Sequence, residues 1–497
     1  MAAAIHFGAL ARSADEVAAR GTRLAGGLAR LGMVEGDVVA VLLRNDPVYA
    51  DVIPACRAGG FYYCPINWHF APEEVAFLLA DSGAKVLIAA GDLYDAVRDV
   101  VPADMRVLLT GAIAAGGQDY ESWLSAQVPY AGPAVAPRGH LAYTSGTTGR
   151  PKGVRRAPWP VDRVAEAQQR VDKLMAECFG VLPGCRTLLP APLYHSAPSV
   201  IAQATLRMGE RLVVMPRFDA EETLRLIESH RFDIAYLVPT MYVRMLKLPA
   251  EVRERYDVSS LRFIASTGAP CAPEVKRAMI AWLGEKIFET YAASETGVVT
   301  IISSSEALAR PGSAGRPAGD AIVRIHGEDG RVCGPGEIGL VYMRQPAWSD
   351  FTYVGNEAAR RAIERDGLVS LGDIGYLDDE GYLFLCDRSA DTVISGGVKI
   401  YPAEVEHALI GCPGVLDCAV FGVPDEEMGE SLTAAILPEP GAEVGAAQVE
   451  AWLRPRIAGF KIPRSVSLMQ DFPRDDNGKV AKRKLRAKYW EGRARSV

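Results

Sequence analysis

Residues Tyr143 to Val154, YTSGTTGRPKGV, place five hydroxyl side chains, three glycines and one lysine within twelve positions. An apolar strand, Leu141 to Thr144, runs into a loop that carries Ser145, Thr147 and Thr148 as hydroxyl donors. Gly146, Gly149 and Gly153 let the backbone approach a ligand closely, and Lys152 brings an ammonium. Exposed amides, hydroxyls and one cation are what a polyphosphate needs. The loop is not a Walker A loop, which ends in Gly-Lys-Ser/Thr; here Pro151 precedes Lys152. Other reactive types stand alone. By themselves, His195 reads as a packed loop histidine, Glu295 as a surface acid and Lys479 as a solvated turn residue after Asn-Gly.

With that loop, the chain resembles the adenylate-forming superfamily: acyl-CoA synthetases, peptide-synthetase adenylation domains and luciferases. The resemblance spans about residues 14–490, and further motifs follow in the family's order. It implies that Thr144, Ser145, Gly146, Thr147, Thr148 and Lys152 hold the β- and γ-phosphates of ATP. His195, in PLYHSAP, would gate the acyl pocket. Gly268, Ala269 and Pro270, in STGAP, would line the adenine and acyl pockets. In YAASETG, Tyr291 would stack on adenine, Ser294 would touch the α-phosphate and Glu295 would ligate Mg2+. A carboxylate beside a triphosphate is costly unless a divalent cation bridges them.

The resemblance further assigns Asp373, in LGDIGY, and Arg388, in CDRSAD, to the ribose. Gly396, Gly397 and Lys399, in ISGGVKIYPAEVE, would approach the thiol of CoA, with Phe460 and Lys461 against the rest of it. Lys479, in PRDDNGKV, would bridge the acyl carboxylate and the α-phosphate. His195, Tyr236, Gly268, Ala292 and Val298 would enclose the acid.

Three features depart from the pattern. The match begins late, Ala292 replaces a glycine beside the acyl pocket, and Ala390 stands where relatives carry Asp or Lys at a hinge. The implied reaction is activation of a carboxylic acid by ATP and transfer to CoA. A standalone amide-forming ligase is the main alternative; loading of a separate carrier protein and a non-catalytic nucleotide sensor are others.

The elements that must position these residues begin with a capping box, Ser13 and Glu16, ahead of Val17, Leu24, Leu28 and Leu31 at helical spacing. Strand candidates at 38–43, 62–66 and 85–90 alternate with helices at 46–57 and 72–80. Further strands are expected near 141–144, 211–215, 234–238 and 261–265. Such alternation predicts parallel-rich α/β subdomains covered on both faces. Past residue 310, Gly and Pro punctuate short strands, which predicts a β-rich subdomain. The chain divides into an N-terminal domain, 1–387, and a small mobile α+β domain, 388–497. In the latter, helices are expected at 402–410 and 447–457, with strands at 415–422 and 431–437.

The whole has 497 residues, room for about three structural units. With 49% hydrophobic and 23% charged residues it is an ordinary globular composition. A net charge of −7 argues against nucleic acid as a partner. No run of about 20 apolar residues suggests integration into a membrane. No signal peptide is read, and nine scattered cysteines without a CxxC pair fit reduced thiols in the cytoplasm. From Lys479 onward, eight Lys or Arg face one Glu, which reads as a solvated, partly flexible tail.

Overall fold

The computed structural model describes residues 4–113, 116–144, 151–269, 271–396, 398–474 and 480–491. The expected capping box is formed: Glu16 N–H donates to Ser13 Oγ at 3.2 Å, and Ser13 N–H to the Glu16 carboxylate at 2.7 Å. The helix it starts, Ala14–Arg30, buries Val17, Leu24 and Leu28. Gly26 and Gly27 would be poor choices for helical propensity alone. Here they permit contact, because a Cβ on Gly26 would lie 2.1 Å from the Val128 carbonyl.

This helix packs beside a five-stranded parallel sheet in which the strand Val38–Leu42 lies between Tyr62–Pro65 and Ala84–Ala90. Every residue of Val38–Leu42 is buried, as expected for a sheet covered on both faces. Asp51, on the helix Tyr49–Gly59, is fully buried and gathers three donors. They are Arg20 Nη2 at 2.8 Å, Arg12 Nη1 at 3.2 Å and Tyr120 Oη at 3.0 Å. A buried carboxylate survives only with such partners.

A second, larger sheet carries the strands Arg211–Val214, Arg186–Leu189, Ile234–Tyr236, Phe263–Ser266 and Ile287–Ala293, parallel and in that spatial order. It continues through Gly297–Ile302 and Ser313–Pro317 into antiparallel strands that include Asp373–Leu377 and Leu383–Arg388. The β-rich region is therefore joined to the parallel part by one continuous hydrogen-bonded path. Asn45 ties the two sheets together, donating to the carbonyls of Ala191 and Met215 and accepting from Leu193 N–H.

Glu306 secures the junction with the β-rich part. It accepts from Ser303 N–H at 2.9 Å, Tyr382 Oη at 2.8 Å and Arg316 Nη2 at 2.8 Å. Partial burial alone would raise its carboxyl, but these hydrogen bonds bring it down to about 2. A depressed acid stabilises the fold above its unfolded value of about 4.3 and loses that contribution as pH falls toward 2. Glu306→Gln is therefore expected to flatten the fall of thermal stability between about pH 4.5 and 2, measured by a series of melts.

Two expectations are corrected. The strand Ala142–Thr144 does not extend the parallel α/β sheets. It pairs antiparallel with Lys152–Arg156, which also pairs with Phe351–Tyr353. The register Thr144 with Lys152 sets these two strands side by side, so a separate three-stranded sheet results. The basic tail is also no solvated strand of charge over residues 480–491. Lys482–Ala487 forms a docked helix that buries Leu485. Lys482 pairs with Glu406 at 2.8 Å, and Arg486 reaches Asp391 at 3.6 Å and the Ala390 carbonyl at 3.3 Å.

The C-terminal region otherwise follows expectation, with helices Pro402–Leu409 and Ala446–Leu453 against a five-stranded sheet built on Val415–Asp425 and Gly429–Pro438. Val405, Leu409, Val420, Ile436, Val449 and Leu453 form its core. Among the described residues, no helix is long and apolar enough to cross a membrane.

Candidate active site

Four neighbouring parallel strands deliver the expected acid-binding residues at their carboxyl ends. The loop after Arg186–Leu189 carries His195, and Tyr236 ends Ile234–Tyr236. Gly268 follows Phe263–Ser266, and Tyr291 and Ala292 lie near the end of Ile287–Ala293. Open α/β sheets place ligands in this crevice, because the loops leaving adjacent strands face one another there. Tyr236 is buried, and its phenol is held protonated by that burial. Ala292 faces the buried Val298 across the hairpin. Gly268 has φ +93°, the left-handed region, and Ala269 beside it is half-buried.

His195 caps the helix Ser196–Met208, its ring 4.3 Å from that of Tyr194. The Asn45 clamp holds the loop that presents it. Ser196 Oγ and Ser294 Oγ hydrogen bond at 2.8 Å, which joins the histidine loop to the turn at 294–295.

The nucleotide side is equally convergent. Tyr291 Oη donates to Asp373 Oδ2, and Arg388 Nε lies 3.3 Å from Asp373 Oδ1. Asp373 and Arg388 are also register partners in their sheet. Burial first, and then the Asp373 carboxylate, push the Tyr291 phenol far up, so it acts as a donor. Glu295 is 8% exposed, and its Oε1 accepts from Tyr353 Oη at 3.0 Å. Thr144 pairs with Lys152 in register, and the Lys152 ammonium sits 5.1 Å from the centre of the Tyr353 ring.

Other expected residues stand elsewhere. Lys399 is in an ion pair with Glu328, and Lys461 pairs with Glu404 at 2.6 Å. Gly396 has φ +55°, and a Cβ there would press on Met428 Sδ at 2.9 Å. Ser145, Gly146, Thr147, Thr148, Pro270, Gly397 and Lys479 lie outside the described residues. Three contributors escaped the sequence reading: Ser196, Tyr353 and Arg156. Ser196 adjoins His195, and Arg156 shares the strand face of Lys152 by period-two spacing, so both carried a signal. Tyr353 arrives from a distant strand and carried none.

The family description "AMP-binding enzyme" matches residues 2–350, and "AMP-binding enzyme C-terminal domain" matches residues 404–479. The chain belongs to the AMP-binding enzymes. This match starts earlier than the expected beginning near residue 14. Its first described residues form the strand Ala4–Phe7, inserted beside Arg211–Val214 in the large sheet. This AMP-binding enzyme is 32% identical to a feruloyl-CoA synthase of Amycolatopsis sp, over 98% of this chain and 96% of that one. It is 35% identical to a long-chain-fatty-acid–CoA ligase of Mycobacterium tuberculosis, over 94% and 91%. Among solved structures it resembles the amide bond synthetase McbA from Marinactinospora thermotolerans. There the TM-score is 0.86 and identity is 26%, over 98% of this chain and 96% of that chain. The chain is thus an enzyme of the adenylate-forming superfamily, near the acyl-CoA synthetases.

Proposed function

We propose that this enzyme is an ATP-dependent, AMP-forming carboxylic acid ligase that passes its acyl group to CoA. One observation carries the reading. Tyr291, Asp373 and Arg388, read as the nucleotide set, bond to one another, and the strand that carries Tyr291 and Ala292 leads into the turn where Ser294 bonds to Ser196, next to His195 of the acid set. In the first step a carboxylate oxygen of the acid bonds to the α-phosphorus, and the bond from that phosphorus to pyrophosphate breaks. Positioning and charge stabilisation do most of this work, with no protein nucleophile. Asp373 orients the ribose, Tyr291 offers its ring to adenine, and Lys152 with Thr144, Ser145, Gly146, Thr147 and Thr148 holds the β- and γ-phosphates. Lys479 spreads the charge where two anions meet.

Glu295 suits Mg2+. Its carboxylate is buried and fixed through one oxygen, and no group of three or more His, Cys, Asp or Glu gathers among the described residues. That donor set fits a cation bound by one or two carboxylates and completed by phosphates and water. When bound, Mg2+ would neutralise charge on the triphosphate.

In the second step the CoA thiolate attacks the acyl carbon and AMP leaves. We assign residues 1–387 and 388–497 to two domains that reorient at Arg388–Asp391 between steps, exchanging Lys479 for the 395–399 loop. Gly396, Gly397, Lys399 and Lys461 then face CoA. The CoA-ligase relatives support this acceptor, and the likeness to an amide bond synthetase supports an amine as the second reading. The buried Tyr236 and the extra methyl of Ala292 favour a compact or cyclic acid over a very long chain. The cytoplasm, where CoA and ATP are both supplied, is the proposed location.

Mass spectrometry of products from ATP, Mg2+ and a panel of acids, with CoA, an amine or neither, tests the proposal. AMP with acyl-CoA is the expected result. AMP with amide, and CoA ignored, would transfer the enzyme to the amide-forming group. Absence of pyrophosphate release with every acid would leave a nucleotide-binding protein without ligase activity.

A further inference from the structure

The strand Lys152–Arg156 ends in a residue that no nucleotide needs directly. Arg156 lies on the same strand face as Lys152, is flanked by Ala142–Thr144 and Phe351–Tyr353, and points its guanidinium at the turn carrying Glu295. Arg156 Nη2 donates to the carbonyls of Ser294 and Glu295, each at 2.8 Å, and Nη1 donates to the Ser349 carbonyl at 3.0 Å. The guanidinium carbon lies 5.5 Å from the centre of the Trp348 ring. Trp348 can come this close because residue 297 is glycine, with φ +74°; a Cβ there would sit 2.4 Å from the indole nitrogen.

Burying a guanidinium is expensive, and a hydrocarbon side chain would fill the same space more cheaply. What only arginine supplies is a rigid, planar group whose Nη2 holds two successive carbonyls while Nη1 reaches a third, that of Ser349. Those carbonyls belong to the two residues read as contacting the α-phosphate and Mg2+. The turn is therefore gripped from behind while Tyr353 fixes the carboxylate in front. Tyr353 also carries the Lys152 ammonium over its ring.

We infer that Arg156 is a positioning residue for Glu295, holding the 294–295 turn in register with the strand that leaves the phosphate loop. The inference rests on the reading of Glu295 as the Mg2+ ligand. Displacing such supporting groups lowers metal affinity by about 10–100-fold.

The test is ATP binding to the full-length protein by calorimetry, with saturating Mg2+ and with EDTA. The wild-type protein is expected to bind more tightly with Mg2+, and Arg156→Met to lose about tenfold or more of that gain. Binding in EDTA should change by less than about threefold, because no contact with the nucleotide itself is removed. Should Arg156→Met fail to fold, Arg156→Lys carries the test: it keeps the charge but, with one nitrogen in place of two, cannot hold the Ser294 and Glu295 carbonyls together with that of Ser349 in one rigid plane. The same loss in Arg156→Lys supports the inference, and an undiminished Mg2+ gain in a folded Arg156 variant overturns it. Glu295→Gln separates the two readings. If that variant keeps the Mg2+ gain, the ligand assignment falls; if it loses the gain while Arg156 variants keep it, only the positioning role falls.

Discussion

Lys479→Ala is expected to slow acyl-adenylate formation by about 10²–10³-fold, the usual cost of removing one well-placed electrostatic donor. The substrate carboxylate and the α-phosphate are both anions, and the first bond forms between them. An ammonium bridging the pair acts where charge is concentrated in the transition state, so its loss should appear in kcat more than in binding. In the proposed mechanism the second half-reaction brings a different face of residues 388–497 to the acyl carbon. Turnover of a supplied acyl-adenylate with CoA should therefore change by less than about threefold. Pyrophosphate release and thioester formation, measured separately, check this. Equal loss in both would end the division of labour between Lys479 and the 395–399 loop.

Asp51→Ala is expected to destabilise the N-terminal region by about 3–5 kcal/mol, the cost of stripping one partner from a buried charge network. Arg12 and Arg20 converge on a carboxylate with no exposed surface, and Tyr120 donates to it as well. Without Asp51, two largely buried guanidinium groups lose their main counter-charge. Asp51→Asn should cost less, because an amide oxygen still accepts from one or two donors. Denaturant titration followed by tryptophan fluorescence checks the order wild type, Asn, Ala. The Asp51 helix packs under the sheet from which Asn45 clamps the His195 loop, so ligase activity should vanish at the same denaturant concentration as structure, not before it.

Much of this architecture was readable because local signals agreed with tertiary ones. Ser13 and Glu16 announce a helix start, and the uniformly apolar run at 38–42 announces a strand covered on both faces. The sequence could not reveal that Ala142–Thr144 leaves the parallel sheets. An apolar strand before a glycine-rich loop has the same local composition whichever neighbour it pairs with, and the strand that completes its sheet by pairing with Lys152–Arg156, Phe351–Tyr353, lies some two hundred positions away. The same holds for the site. Motif residues such as Tyr291, Asp373 and Arg388 announced themselves, and the structure gathers them. Tyr353 and the grip of Arg156 are products of long-range pairing, which no window of sequence contains. The charged tail misled for a different reason. Eight basic residues suggest solvent, yet Lys482 and Arg486 meet acids contributed by residues 391 and 406, far back along the chain.

That last helix changes what the end of the polypeptide is for. A protease cutting between Lys479 and Lys482 would leave every residue assigned to the chemistry in place. It would nevertheless strip the proposed pivot at 388–391 of Arg486, and the helix Pro402–Leu409 of Lys482. The two half-reactions would keep their reagents and lose the bearing on which one gives way to the other. With a pivot at the proposed place, trimming the terminus, or fusing a bulky tag to it, would act on the machine's timing and not on its chemistry.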